Sequence, residues 1–283
     1  MIIDAQTNYV YFSELLQTEP AYKAFCDRLT SILDKHKIGY EFLKETNDIW
    51  CRDYMPVQVT ENKFIEYRYD PDYLQEKKYR KRKTYPDLVS ESIGLKTIKS
   101  DLILDGGNVI KWGNKVILTD KIIPENAAKY RKSELLHKLE LLFEVDSIIL
   151  IPWFRGEMFG HADGMIRFID DSQVLIDGYY LKSESEFKNK FYKVLKYNKL
   201  SPIELVFNVQ KQSNKNWGYL NFLQTNELLL LPQFGIEEDQ QALEQIKRAF
   251  PDYAAKGQIE TLNCNDIIRD GGVLNCISWN IKR

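Results

Sequence analysis

The stretch Gly-His-Ala-Asp-Gly-Met at 160–165 sets a histidine and an aspartate two residues apart. On extended backbone, residues i and i+2 face the same side, so His161 and Asp163 would share one pocket. An imidazole beside a carboxylate can act as general acid and base, ligate a metal, or form a structural hydrogen-bonded pair. His36 and His137 fall inside helical patterns, and no HExxH or paired-cysteine spacing supplies further ligands, so metal ligation is the weaker reading. Cys276, behind Gly271-Gly272, is the second candidate. A lone cysteine can be an inert buried residue, but a thiolate with His161 across from it would be a nucleophile. Asp53, in Trp-Cys-Arg-Asp at 50–53, is the third. It either pairs with Arg52 beside a packed Trp50, or it grips a planar cation through paired N–H bonds while the indole stacks on its face. The glycines of Gly106-Gly107-Asn108 permit close backbone approach and alone indicate a turn.

The spacing of these residues carries more than any one of them. Asp53, Asn108, Asp163, Asn221 and Cys276 follow one another at intervals of 55, 55, 58 and 55 residues. Each stands near the head of a run patterned as two strands about a polar turn: 55–69, 106–123, 164–180, 219–233 and, cut short, 271–281. Helical periodicity fills segments between them, at 19–37, 126–145, 183–199 and 237–250, with a shorter candidate at 85–94. Hairpin, helix and strand therefore recur about five times. Five such units favour a closed ring, because closure removes exposed strand edges. Equivalent positions would then meet at one axis, and the apolar C-terminal run would be the strand that closes the ring.

Composition narrows the function classes. Thirty-nine basic and 41 acidic side chains nearly cancel, so no global field points to nucleic acid or an anionic membrane. A hydrophobic content of 44% supports a real core, and no linker divides the 283 residues, which are expected to form a single α/β domain over 1–283. The first residues lack a basic segment followed by an apolar stretch, and no run is long enough to span a bilayer, so no signal peptide or membrane span is expected. Cys26, Cys51, Cys264 and Cys276 form no CxxC pair, which suits free thiols in a reducing cytoplasm. The basic stretch at 77–83 is either a solvated loop or an anion contact near the site.

Taken together, Trp50-Cys51-Arg52-Asp53 with Pro56, Gly106-Gly107-Asn108, Gly160-His161-Ala162-Asp163, Tyr219-Leu220-Asn221 and Gly271-Gly272 leading to Cys276 make a specific set. In it the chain resembles the agmatine deiminase and bacterial peptidylarginine deiminase family of guanidine-modifying penteins. The resemblance implies a five-unit, pseudo-symmetric α/β propeller, with Cys276 as nucleophile and His161 as general acid and base. It implies further that Asp53 and Asp163 grip the guanidinium and that Trp50, Asn108 and Asn221 line the substrate pocket. It also implies hydrolysis of a small guanidino substrate, agmatine or arginine-like, to a ureido product and ammonia, with no metal or organic cofactor. A C-terminal arginine deiminase, an amidinotransferase and a non-catalytic binding ring remain as alternatives, and a homodimer as an open assembly state. The chain departs from the family where it has Asn275, in place of the usual histidine, directly before the cysteine.

Overall fold

The computed structural model describes residues 1–179, 181, 185–209 and 218–283. Its strands are β1 (Tyr9–Ser13), β2 (Gly39–Leu43), β3 (Val57–Thr60), β4 (Lys63–Arg68), β5 (Ile98–Ile103), β6 (Ile110–Trp112), β7 (Lys115–Thr119) and β8 (Ser147–Ile151). They continue with β9 (Ile166–Phe168), β10 (Gln173–Asp177), β11 (Ser201–Leu205), β12 (Leu223–Gln224), β13 (Leu229–Gln233), β14 (Ile259–Asn263) and β15 (Trp279–Ile281). Among the described residues they form five three-stranded sheets, ordered β15-β1-β2, β3-β4-β5, β6-β7-β8, β9-β10-β11 and β12-β13-β14. In each, the middle strand is antiparallel to the first and parallel to the third. A parallel third strand needs a crossover, and helices supply it: Pro20–Lys35, Pro86–Ser92, Lys132–Phe143, Ser185–Tyr197 and Glu238–Ala249. The expected helix at 183–199 begins among residues outside those described. The five-unit α/β propeller expected from the resemblance is the fold observed.

The elements follow from the sequence pattern. Middle strands are buried along most of their length, which is why Val-Ile-Leu-Thr at 116–119 and Leu-Leu-Leu-Pro at 229–232 read as continuous apolar runs instead of alternating ones. The helix Pro20–Lys35 starts with proline at its first position and turns Phe25, Cys26, Leu29 and Leu33 inward. Lys132–Phe143 does the same with Leu135, Leu139 and Phe143.

Both chain ends belong to one unit. β15 pairs with β1 in the register Tyr9–Ile281, Val10–Asn280 and Tyr11–Trp279. The truncated hairpin at 271–281 is therefore completed by the N-terminal strand, across the whole length of the chain. Trp279 locks the joint: its indole N–H donates to Pro56 O at 2.7 Å, and its ring lies 5.0 Å from Tyr11 and 6.1 Å from Phe64. Trp279→Ala should lower unfolding free energy by about 3–5 kcal/mol, the range for truncating a buried large aromatic. Urea unfolding measures it, and a loss below about 1 kcal/mol would show that the joint is not held here.

Candidate active site

A single helical turn precedes the first strand in the second, third and fourth units: Cys51–Tyr54, Gly106–Asn108 and Ala162–Gly164. Turns at Gly218–Asn221 and Asn275–Ser278, closed by Asn221 N to Gly218 O and Ser278 N to Asn275 O, hold the corresponding places before β12 and β15. Each turn lies just before the chain enters its sheet, and four of the five bring a side chain into one cleft. Asp53, Asp163, Asn221 and Cys276 all line one cleft of about 750 Å³, with Trp50 and His161.

Asp163 is the most constrained group in it. Its Oδ2 accepts from the side-chain amides of Asn221 and Asn275, each at 2.8 Å, and lies 3.5 Å from Cys276 Sγ. Asn221 works at both ends, since its Oδ1 accepts the backbone N–H groups of Val273 at 3.3 Å and Cys276 at 3.1 Å. Asn221 thus holds the nucleophile turn against Asp163. Asn275 supplies the second pin on the same oxygen. Gly272 makes room for the thiol: a Cβ there would lie 2.7 Å from Trp50 Cζ3 and 3.1 Å from Cys276 Sγ.

His161 stands between two carboxylates. Its Nε2 lies 2.9 Å from Asp105 Oδ2 and its Nδ1 lies 3.5 Å from Asp53 Oδ1. Tyr73 donates its hydroxyl to the same Asp105 oxygen at 3.1 Å, and Gly107 donates its backbone N–H to Asp53 Oδ1 at 3.1 Å. Only glycine fits at 107, because a Cβ would come within 2.7 Å of His161 Nδ1.

One expected site residue is displaced. Asn108 does not line the cleft; its Oδ1 accepts the Thr119 N–H at 2.8 Å and ties its turn to β7. The group that this unit sets against His161 is Asp105, three residues earlier and absent from the sequence-based set. Its only sequence signal is an aspartate opening Asp-Gly-Gly, which becomes informative once His161 lies opposite. The basic stretch splits as well. Arg82 and Tyr79 line the cleft, whereas Arg80 turns away to donate to Gln75 O at 2.9 Å and Lys83 pairs with Asp70 at 2.7 Å.

The site's protonation follows from burial and crowded negative charge. Burial opposes a charged imidazole at His161, but Asp53, Asp105 and Asp163 outweigh it and raise its pKa to about 10. Burial pushes Asp53 up to about 8, with Asp105 and Asp163 adding to the effect and His161 opposing it. Burial also raises the Cys276 thiol well above its ordinary range, and Asp163 and Asp53 raise it further. Without a cation in the cleft, the pair is thus a thiol and an imidazolium. Cys26, Cys51 and Cys264 are buried too, but none lines the cleft. Among the described residues, no group of three or more His, Cys, Asp or Glu side chains is arranged to hold a metal ion.

The family model for Porphyromonas-type peptidyl-arginine deiminase matches residues 5–281, nearly the whole chain. The chain belongs to this family. It is 22% identical over 276 residues to a Vibrio parahaemolyticus protein provisionally named agmatine deiminase, covering 83% of this chain and 76% of that one. A similarly named Mycoplasma capricolum protein is 22% identical over 223 residues, 67% of this chain, and the match spans 60% of the relative's length. Among solved structures, a cysteine-to-serine variant of C. jejuni agmatine deiminase with substrate bound superposes with a TM-score of 0.75 at 19% identity, covering 100% of this chain and 96% of that one. Likeness at that identity establishes the pentein fold. Within the family fold, the Asp105–His161 contact makes a direct expectation. Asp105→Asn removes a charge and a charged acceptor that hold the imidazolium, so the His161 pKa should fall from about 10 by roughly one unit or more. An NMR titration of the imidazole reads this, and an unmoved pKa would remove Asp105 from the site's electrostatics.

Proposed function

We propose that this chain is a guanidine deiminase that hydrolyses a small guanidino substrate through Cys276. The observation that carries the reading is the convergence of Asp53, His161, Asp163 and Cys276 on one cleft, with the thiol 3.5 Å from a carboxylate oxygen pinned by two amides. With its Oδ2 so held, Asp163 has its other oxygen to offer a guanidinium N–H, and Asp53 is placed to offer a second carboxylate. Two carboxylates fix the guanidinium plane and bring its central carbon near sulfur, which is a proximity effect. The incoming cation also relieves the repulsion that holds the thiol protonated, so substrate binding itself favours the thiolate.

In the proposed sequence, the sulfur lone pair forms a bond to the guanidinium carbon. The C–N bond to one terminal nitrogen then breaks, and His161 supplies the proton that lets this nitrogen leave as ammonia. The covalent species is an S-alkylthiouronium. Water then attacks the same carbon and loses one proton to His161; sulfur departs with its electron pair, the remaining hydroxyl proton passes to the released ammonia, and a ureido product remains. A purely binding role has no use for a thiol held against a carboxylate with a protonated imidazole nearby.

For the substrate's tail, the cleft lining offers Asp48 and the exposed Arg82 and Arg269. An amine suits Asp48, and a carboxylate suits the arginines. Arg82→Ala should raise KM for arginine by about 10-fold or more, the loss of one charged hydrogen bond, and leave agmatine nearly unchanged. Ammonia release across agmatine, arginine and an arginyl peptide ranks the tails; equal effects on all of them would make Arg82 an indifferent rim residue.

The chemistry is tested at the thiol. Cys276→Ala should abolish turnover and retain substrate binding, because the grip belongs to Asp53 and Asp163. Asp163→Asn should lose both, since an amide in place of the pinned carboxylate leaves the cation under-paired. Mass spectrometry of acid-quenched protein during turnover should find a substrate-derived adduct on the Cys276 peptide. A fully active Cys276→Ala protein would overturn the reading.

A further inference from the structure

Behind the cleft, the ring axis holds a second charged layer that the reaction above does not use. Asp4, from the single turn Asp4–Gln6 ahead of β1, reaches the axis and meets three cations there. Arg167 on β9 donates to its Oδ2 at 3.2 Å, Lys111 on β6 lies 3.6 Å from its Oδ1, and Arg52 is within electrostatic reach. The side chains of Lys111 and Arg167 keep only 7% and 4% of their exposure. Arg52 is as deeply set, donating its Nε to Asn275 O at 3.3 Å and its guanidinium to Asn280 Oδ1. Two of these cations, Arg52 and Arg167, adjoin the nucleophile turn, and Lys111 reaches it through Asp4. The Arg52 N–H donates to Cys276 O at 3.0 Å, and the Arg167 guanidinium, 4.4 Å over the Phe222 ring, is within electrostatic reach of Asp163 and Cys276. Three cations against one carboxylate leave an excess of positive charge beneath a cleft crowded with carboxylates.

We propose that Arg52, Lys111 and Arg167 form an axial cation seat that favours the Cys276 thiolate, with Asp4 setting how much of that positive charge is felt. The groups facing Cys276 divide accordingly. Asp53, Asp105 and Asp163 on the cleft side disfavour the thiolate, His161 favours it from the same side, and Arg52 and Arg167 favour it from below. Lys111 acts through Asp4, which it partly neutralises. These residues position charge; they do not touch substrate. The proposal rests on the assignment of Cys276 as the reactive thiol, but its test does not depend on turnover.

The test is the alkylation rate of Cys276 by iodoacetamide, a neutral reagent, in substrate-free protein at a fixed pH of about 8, read by peptide-resolved mass spectrometry. Well below its pKa, the rate follows the thiolate fraction. Lys111→Gln removes a cation that offsets Asp4 and should slow alkylation roughly 3- to 10-fold. Asp4→Asn removes the counter-charge and should accelerate it by a similar factor, although it leaves cations under-paired and lowers the unfolding temperature. Lys111→Arg should restore the wild-type rate. A merely structural role would move both variants the same way or neither, and either result overturns the proposal. If Lys111→Gln does not fold, the sign for Asp4→Asn decides alone, with an unchanged or slower rate as the contrary outcome. A correct pattern of rates in a protein without deiminase activity would uphold the seat and reject the assigned reaction.

Discussion

The pairing of Tyr9–Tyr11 with Trp279–Ile281 carries the geometry of the site. Cys276 lies three residues before β15, so the joint between the chain ends sets where the thiol sits. The other groups come from turns of earlier units, each fixed by its own sheet. Closure turns five locally ordinary turns into one convergent set. Without that pairing β1 would become an edge strand, and the turn that carries Cys276 would lose the joint that holds it near His161. The bonds from Asn221 to Val273, Cys276 and Asp163 are the local expression of the same constraint, because they join the last turn to the two before it.

The cleft so formed is electrostatically unfinished. Asp53, Asp105 and Asp163 face a single imidazole, and the burial that excludes water from them also makes their repulsion costly. A guanidinium supplies the missing charge and hydrogen-bond donors together. A ureido product supplies donors but no charge, so the reaction removes the feature that held its reactant. The same carboxylates therefore bind substrate and release product, and no separate device for release is needed.

Much of this was legible in the sequence, for a physical reason. Five units related by rotation repeat their chemistry at a fixed chain interval, and Asp53, Asp163, Asn221 and Cys276 stand at it because each opens a first strand. The interval specifies a backbone position, not a side-chain direction. Asn108 occupies the equivalent position, yet its amide is captured by the Thr119 N–H, a contact that only the folded β7 provides. Asp105 stands off the interval and is defined by His161, which is 56 residues away. Arg80 and Arg82 share one basic run, but the short helix Lys77–Arg80 and the bond to Gln75 turn the first from the cleft and leave the second at its rim. The partner of the C-terminal strand was hidden because it lies at the opposite end of the chain.

The axis extends the logic by one layer. Lys111 follows Asn108 by three residues, Arg167 follows Asp163 by four, Gln224 follows Asn221 by three and Asn280 follows Cys276 by four. One step further into these four first strands, the chain again carries polar residues, so the rotation that gathers anionic and nucleophilic groups at the mouth gathers cationic and amide groups below. A polar axis is what such a ring can tolerate where first strands converge, provided its groups pair. Asn280 does so with Thr7 Oγ1 and Gln224 O, and Asp4 with Lys111 and Arg167. The sign of charge thus reverses within a few residues along the axis. A thiol placed at that boundary feels carboxylates from above and guanidinium groups from below. Its ionisation is then set by the balance of the two sides, which a cationic substrate tips toward the thiolate.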